Sequence, residues 1–306
     1  MSARSIATPL FAAAAVLGAL SASPAAMTQA REGRVHISVT KDGQAVPIAP
    51  ADVTITEDGR AREVLKVEKA SGPVSIALLV DDSQAARGAI NDLRAALKQF
   101  TAKMLAANPD SQIALITYGE RPTLLTDYTN NPGQLERGIN RIFTREGAGA
   151  YLLEAIISAS RGIAKREAER AHIVIIGTEG VEFSNDHYDR VLDHLAESGA
   201  TLWALTLTAG PRADDTEEVR NRAVVLGRGP ARTGGRQEIV LANSATIVVL
   251  ERIGDAILNQ YVVVYGRPDV LVPPKKISVK VAKPGTKLLA PENAPRPGRN
   301  SPVWCA

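Results

Sequence analysis

Three short segments, two of them with polar side chains, stand beside buried strands or a helix start in the sequence, where they could form a binding site. The segment 81–85 (Asp-Asp-Ser-Gln-Ala) follows an almost wholly apolar run, 74–80, and the segment 177–180 (Gly-Thr-Glu-Gly) follows another, 173–176. Such runs are typical of strands covered on both faces of a parallel sheet. The segment 147–150 (Gly-Ala-Gly-Ala) precedes a helix. Ligands of open parallel sheets bind beyond the carboxyl ends of the strands, so we expect the three segments to converge there.

Other chemistry-bearing residues predict no catalytic set. His187 and His194 lie seven positions apart on a predicted helix, whereas zinc-binding helices place two His four apart, so we interpret this helix face as solvated. None of Ser75, Ser83 and Ser184 stands in the Gly-x-Ser-x-Gly context of a hydrolase nucleophile. The sequence offers no combination of nucleophile, base and acid, and we therefore expect no enzymatic activity.

The elements that must position these segments alternate between strand and helix. Four apolar runs, separated by stretches of helical spacing, predict buried strands. These runs are 74–80, 112–118, 173–176 and 202–207. Their order predicts a parallel sheet with helices on both faces, which is an α/β doubly wound domain over residues 72–266. We interpret 209–240 as a long loop with one short helix, and 260–265 as the last strand of this domain.

Short alternating strands at both ends of the chain predict a second, smaller unit. Residues 33–70 alternate apolar and polar side chains between glycine-containing turns, and 277–282 alternates in the same way. We predict a small antiparallel β module over 33–70, to which the segment 267–283 adds a strand. From 284 to 306 the chain is rich in Pro, Asn, Arg and Gly, which predicts a disordered tail.

The N-terminus has the pattern of a secretory signal peptide. Arg4 precedes an apolar stretch, 7–20, and small residues follow it as far as Ala26. The stretch is about 14 residues long, shorter than the roughly 20 that span a bilayer, so we assign residues 1–26 to a signal peptide with its cleavage site left open. We therefore expect an exported protein, periplasmic or secreted, with no integral membrane segment in its mature form. A single cysteine, Cys305, cannot form an internal disulfide.

Composition argues against nucleic-acid binding. The net charge is only +3, from 36 basic and 33 acidic residues, and no basic run is dense enough to follow a phosphate backbone. Aromatic residues make up 4% of the chain, which leaves few platforms on which bases could stack. We expect no nucleic-acid partner.

Taken together, several motifs resemble those of a known family. Asp81-x-Ser83 after an apolar strand is similar to the start of the Asp-x-Ser-x-Ser motif of von Willebrand factor type A domains. The segments 149–156 and 175–180 resemble two further segments of that family, and the resemblance covers roughly residues 72–266. Glu57-Asp58-Gly59, 233–236 and Gln260-Tyr261 resemble a bacterial subgroup, often called VWFA-related, whose members carry signal peptides.

The resemblance implies a metal-ion-dependent adhesion site that has partly degenerated. In the family, two Ser, one Thr and two Asp supply the oxygen ligands that Mg²⁺ prefers. Asp81 and Ser83 match that pattern, Glu179 stands at the second Asp position, and a one-residue shift would place Thr178 there instead. Ala85 and Ala150 replace a Ser and the Thr, and a methyl group cannot coordinate a cation. We expect no cofactor, with Mg²⁺ held by Asp81, Ser83 and Glu179 as the alternative.

A second interpretation of the same residues is structural. Asp81 and Ser83 would accept hydrogen bonds from the free N–H groups at the start of the following helix. The sequence favours this capping role over a working metal site.

The resemblance implies that the chain binds other proteins through the rim above the sheet. The rim residues would be Asp82, Gln84, Gly149, Ala150 and Thr178. The expected function is an exported, non-enzymatic protein-binding module that works without metal; the sequence specifies neither the partner nor an oligomeric state. Two alternatives stay open: a Mg²⁺-dependent adhesion or matrix-binding protein, and an enzyme of unrecognised type on the same open sheet.

Overall fold

A computed structural model describes residues 31–208, 213–268 and 271–295. The proposed signal peptide, 1–26, and the end of the chain, 296–306, lie outside the described residues. The strands are β1 (Arg31–Lys41), β2 (Gln44–Ala45), β3 (Val53–Glu57), β4 (Arg60–Arg62), β5 (Val64–Lys69), β6 (Ser75–Val80), β7 (Gln112–Thr117), β8 (Thr123–Thr129), β9 (Ala171–Thr178), β10 (Thr201–Leu207), β11 (Gln237–Val240), β12 (Tyr261–Arg267), β13 (Ile277–Val281) and β14 (Lys287–Leu289). The helices are α1 (Ile90–Ala107), α2 (Pro132–Asn140), α3 (Leu152–Arg166), α4 (Tyr188–Ser198), α5 (Glu217–Thr233) and α6 (Thr246–Leu258).

A six-stranded sheet confirms the predicted α/β doubly wound fold. Its strand order is β11-β10-β9-β6-β7-β8, and only β8 runs antiparallel to its neighbour. The order reverses beside β6, which lies between β7 and β9, so this strand marks the switch point where such sheets bind ligands. Asp81 follows β6 directly and therefore stands at that point.

Helices cover both faces of this sheet. On one face α1, α2 and α6 pack over a core that includes Phe100, Trp203 and Ile253. On the other face α3, α4 and α5 pack over a core that includes Ile156 and Leu202. The central strands are buried on both sides, which explains why their sequences show continuous apolar runs rather than alternation.

The described part of the segment 209–240, residues 213–240, contains more regular structure than the sequence predicted. It contains the 17-residue helix α5 and the edge strand β11, where we expected a long loop with a short helix. Gly227, Gly229 and Pro230 weaken the helical pattern in the sequence. In the fold, the absence of a side chain at Gly229 lets α5 approach Leu202 closely, and Pro230 lies in the last turn, so packing overrides local propensity.

We predicted that residues 260–265 form the last strand of the α/β domain. That prediction is wrong, because β12 does not belong to this domain. It pairs antiparallel with β1 and β5 in a separate sheet. An apolar run identifies a buried strand, but the sheet that the strand joins depends on tertiary packing. The α/β unit therefore ends with α6, eight residues before the predicted boundary at 266.

The β module draws strands from both ends of the described chain. One sheet has the order β14-β1-β12-β5, with β2 on β1, and a second has the order β13-β3-β4. The predicted pairing of 277–282 with the N-terminal strands is confirmed, since β13 runs antiparallel to β3 with Val279 opposite Ile55. The two sheets enclose a core that includes Val35, Ile37 and Tyr265.

Part of the segment predicted to be disordered is a strand. Residues 287–289 form β14, which pairs antiparallel with β1, so the prediction of disorder from 284 onward is wrong there. Leu288 and Leu289 supply the apolar side chains that this pairing needs, although Pro and Lys dominate their surroundings. In the described part of the chain, no helix combines the length and the apolar composition needed to cross a membrane.

Candidate functional site

The Asp81 carboxylate joins two central strands at their carboxyl ends. It is buried at the end of β6. Its Oδ2 accepts hydrogen bonds from the backbone N of Thr178 at 3.0 Å and from the Thr178 hydroxyl at 2.6 Å. Its Oδ1 accepts from the backbone N of Ser83 at 2.9 Å. Both carboxylate oxygens are therefore already engaged by donors of the protein itself.

Ser83 does not cap the following helix. The chain continues from Ser83 into a 3-10 helix, Gln84–Ala89, and the Ser83 side chain makes no capping bond there. The hydroxyl is buried and has no hydrogen-bond partner among the described residues. The capping prediction is therefore wrong for Ser83, because a 3-10 turn, rather than the start of α1, follows it.

Asp82 reaches a neighbouring loop that the sequence reasoning did not include. Its Oδ1 accepts a hydrogen bond from the backbone N of Gly119 at 2.5 Å, directly after β7 and Tyr118. A side chain at Gly119 would collide with Asp82 and with the Ser83 backbone, so glycine is required for this approach. Burial raises the pKa of Asp82, although the hydrogen bonds from Gly119 and Thr117 oppose that shift. Asp82 thus fixes a loop instead of facing a ligand.

The three segments converge as predicted. The backbone N of Gln84 donates to the Ala148 carbonyl at 3.0 Å, and the Gln84 side-chain oxygen accepts from Gly147 N at 2.8 Å. The backbone N of Ala150 donates to the Val181 carbonyl at 2.8 Å. These bonds join the loops after β6 and β9 to the segment before α3.

Most of the predicted rim residues lie below the surface. Gln84 is exposed, whereas Asp82, Gly149, Ala150 and Thr178 are buried. Buried groups cannot contact a partner without rearrangement, so of this set only Gln84 is placed to do so. The sequence pattern placed these residues together at one edge of the sheet but did not distinguish the buried ones from the exposed one.

Two exposed apolar side chains, which we call the apolar layer, lie in the loop after β9. Val181 and Phe183 are each 45% exposed. The Phe183 ring packs against the Tyr151 ring, with 5.9 Å between the ring centroids. Gly149 lies beneath Phe183, and a side chain there would overlap the ring. Aromatic side chains are scarce in this sequence, and their position beside a predicted binding loop was the signal that could have revealed this layer.

Glu182 anchors the same loop from below. It is buried, and its Oε1 accepts hydrogen bonds from the backbone N of Leu152 at 3.1 Å and of Ser184 at 3.2 Å. The Arg222 guanidinium lies 3.8 Å from Oε2, which is ion-pair distance but too long for a hydrogen bond. Burial raises the pKa of Glu182 to about 7, against the opposing effects of Ser184 and Arg222. Neither Glu182 nor Arg222 was singled out from the sequence.

The side chains at this edge do not fit the oxygen set that Mg²⁺ requires. Thr178, and not Glu179, faces Asp81, and its hydroxyl donates to the carboxylate. Ala150 has no side-chain oxygen, and the half-buried Glu179 lies in a loop where its carbonyl accepts from Ala213 N. Within the described ranges, no group of three or more His, Cys, Asp or Glu side chains is placed to hold a metal ion.

One family comparison matches the α/β part of the chain. Residues 76–180 match the family described as von Willebrand factor type A domain. A comparison with curated proteins gives no match. The matched range contains β7, β9, all of β6 except Ser75, and the loops that converge around Asp81.

Solved structures with a similar fold include proteins of several bacteria. A von Willebrand factor type A protein from Catenulispora acidiphila is 10% identical with a TM-score of 0.48, over 87% of this chain and 74% of that chain. The conserved hypothetical protein BatB from Bacteroides thetaiotaomicron is 16% identical with a TM-score of 0.45, over 60% of this chain and 98% of that chain. The vWF domain of the type V pili tip protein Mfa5 from Porphyromonas gingivalis is 22% identical with a TM-score of 0.34, over 37% of this chain and only 40% of that chain.

Proposed function

Because residues 76–180 carry a von Willebrand factor type A domain, we propose that this chain is an exported, non-enzymatic module that binds a protein partner without metal. The observation that carries the proposal is the exposed apolar layer at the carboxyl edge of the parallel sheet. Val181 and Phe183 present that layer, and Tyr151 supports it.

An exposed aromatic side chain on a rigid base suits protein recognition. Aromatic residues dominate the energetics of protein interfaces, because they bury a large area while losing little conformational freedom. The loop that carries Phe183 is held by the backbone bond from Phe183 N to the Ala150 carbonyl, 2.7 Å long, and by the Glu182 bonds to α3. This preorganisation lowers the ordering cost of binding.

Metal independence is supported by the bonding of Asp81. A cation would have to displace the Thr178 hydroxyl and compete with two backbone donors, and the alanines at 85 and 150 offer it no oxygen in return. Calorimetric titration of Mg²⁺ and Mn²⁺, with Asp81→Ala as control, tests this part of the proposal. We expect no saturable binding tighter than about a millimolar. Tighter binding that the substitution abolishes would instead select the Mg²⁺-dependent adhesion protein.

The partner surface can be tested by photo-crosslinking in the native cells. A photoreactive residue replaces Gln84, which is exposed at the same edge. We expect a protein adduct that forms equally with Mg²⁺ and with chelator, is lost in Phe183→Ser and persists in Leu124→Ser. Leu124 is a matched control, because it is a 55% exposed apolar residue on the antiparallel edge strand β8. Adducts that still form in Phe183→Ser, or that form only with Mg²⁺, would overturn the proposal.

Export is proposed from the N-terminal sequence alone. The positive residue, the short apolar stretch and the small residues up to Ala26 support a cleaved signal. Mass spectrometry of the N-terminus after cell fractionation tests it. An uncleaved N-terminus in the cytosolic fraction would contradict export.

A further inference from the structure

One arginine side chain holds both places where the chain passes between the β module and the α/β unit. The first passage lies between β5 and β6, and the second lies between α6 and β12. The buried Arg170 guanidinium donates to the Gly72 carbonyl at 2.5 Å in the first passage and to the Ile257 carbonyl at 2.7 Å just before the second. We propose that this junction is an acid-sensitive latch: at low pH His36 takes up a proton beside Arg170, and the β module separates from the α/β unit. The proposal is independent of the protein-binding function.

The strand β1 places His36 in this junction. The apolar residues that alternate along β1 lie in the core of the module; they are Val35, Ile37 and Val39. Arg34, His36 and Ser38 therefore project from the opposite face of the strand. Arg34 pairs with Glu169 at 3.0 Å. The Ser38 hydroxyl donates to the Ala256 carbonyl of α6 at 3.1 Å. This face of β1 thus contacts the α/β unit, with His36 between two residues that bond to it.

His36 is half-buried among charges that disfavour its protonation. Burial and the Arg170 guanidinium lower the pKa of His36 to about 4. The Arg34 charge lowers this pKa further, whereas the Glu169 charge raises it. Glu169 and Glu32 both pair with Arg34 at exposed positions, so they compensate the buried guanidinium only weakly.

The other elements around His36 bring no unpaired carboxylate. On β5, Glu68 lies on the same face of the sheet two strands away, and it pairs with Lys66 at 2.6 Å. On α6, Asp255 pairs with Lys103 at 2.7 Å. A proton on His36 therefore adds a positive charge beside the guanidinium, and no free carboxylate among the described residues of these elements balances it.

The second imidazole of the junction, His172 in β9, is fully buried and neutral. Its Nδ1 accepts from Trp203 Nε1 at 3.3 Å, so the neutral ring carries its proton on Nε2. Neither this Nε2 nor Arg170 Nε has a hydrogen-bond partner among the described residues. Burial and the Arg170 charge hold the pKa of His172 well below its ordinary value. Both donors would find acceptors in water, which lowers the cost of opening the junction.

Acid favours the open junction. In the closed junction the pKa of His36 is about 4, and on exposure to water it returns to the ordinary 6.5. The open state therefore binds a proton that the closed state does not, and opening increases as pH falls from about 6.5 to 4. For these two pKa values, the equilibrium constant for opening rises roughly fiftyfold between pH 7 and pH 4.5.

Amide hydrogen exchange of the full chain tests the proposal, followed by NMR at pH 7 and pH 4.5 and corrected for the intrinsic rate at each pH. The reporters are the backbone N–H groups of Glu292 and Asn293, which follow β14 and donate to the Arg232 carbonyl of α5 at 3.2 and 3.1 Å. Their protection should fall by roughly fiftyfold at pH 4.5. It should also be lower than that of the β9 amides at both pH values, since opening of the junction precedes global unfolding.

His36→Gln removes the group that takes up the proton, so most of the fall in reporter protection should disappear. His187→Gln is the matched control, because His187 is an exposed imidazole at the start of α4, and it should behave like the unchanged chain. If His36→Gln does not fold, NMR titration of the His36 imidazole in the unchanged chain supplies a second readout, with an expected pKa of about 4.

Four results would each overturn the proposal. They are reporter protection that does not fall at pH 4.5, reporter protection equal to that of the β9 amides, a fall that persists in His36→Gln, and a measured His36 pKa near 6.5.

Discussion

Two buried glutamates, one in each part of the molecule, differ in the groups that stabilise their negative charge. Glu57 lies in the β module and Glu182 lies beneath the apolar layer of the α/β domain, and the side chains of both are fully buried. Glu57 accepts hydrogen bonds from the Tyr265 hydroxyl at 2.6 Å, from Arg267 Nε at 2.8 Å and from Arg62 Nε at 3.1 Å. Glu182 accepts from backbone N–H groups and from the neutral Ser184 side chain, and its guanidinium partner lies at 3.8 Å.

The two pKa values shift in opposite directions as a result. Burial raises the pKa of both carboxyl groups, because it penalises the charged form. For Glu57 the hydrogen bonds from Arg267, Tyr265 and Arg62 outweigh burial, and the net pKa is lowered. For Glu182 burial prevails and the pKa is about 7. Burial alone therefore does not determine the charge of a carboxylate; direct charged donors do.

The largest effect should follow from breaking the Glu57 network. Glu57→Gln leaves the buried Arg267 guanidinium without its counter-charge, and loss of one partner of a buried pair costs about 3–5 kcal/mol. Urea unfolding at pH 7 measures the loss. Glu169→Gln is the control, since its pairing with Arg34 is exposed at both ends and should contribute less than about 1 kcal/mol. A loss below about 1 kcal/mol for Glu57→Gln would show that the network contributes no more than a surface pair.

The next largest effect is a pH dependence carried by Glu182. Its pKa in the folded chain, about 7, lies above the ordinary 4.5, so between these values the folded state binds a proton that the unfolded state has lost. Stability therefore falls as pH rises from about 4.5 to 7, by up to roughly 3 kcal/mol. Glu182→Gln stays neutral and should escape this loss. The free energy of unfolding of the variant minus that of the unchanged chain should grow over this window.

The stability of Glu182→Gln must be compared with that of the unchanged chain at each pH, because His36 changes the stability in the opposite direction. Burial lowers the pKa of His36 to about 4, so its contribution to stability rises with pH between about 4 and 6.5. That contribution is common to both chains and cancels in the difference. Glu57 has a lowered pKa, so its stabilisation is present above pH 4.5 and is lost only as pH falls further. A difference that stays constant from pH 5 to 8 would contradict the raised pKa of Glu182.

How much of the molecule could be predicted from its sequence depends on whether a feature is set by a local pattern or by long-range contacts. The parallel sheet and the convergence of the three loops follow from continuous apolar runs and from the general geometry of such sheets, and both are confirmed. The placement of β12, the helix α5 and the strand β14 depend on long-range packing, which periodicity does not encode. Arg267 and Arg222 find their carboxylates across long sequence separations, so neither pair could be read from local spacing.

The smallest effect tests whether Asp81 is held by direct donors, as Glu57 is. Thr178→Val keeps the shape of the side chain but removes the hydroxyl that donates to Asp81 at 2.6 Å. The backbone N of Thr178 and of Ser83 still donate to the carboxylate, so the loss in urea unfolding should be about 1–2 kcal/mol. Thr54→Val, on the exposed face of β3, is the control and should stay within about 0.5 kcal/mol. An unchanged stability for Thr178→Val would mean that Asp81 does not depend on this donor, which would weaken the case against a cation beside it.

Repeating the Mg²⁺ titration on Thr178→Val then separates the two outcomes. Continued absence of binding would leave Asp81 as a strand-joining carboxylate, whereas new millimolar binding would mean that the Thr178 hydroxyl is what keeps a cation out.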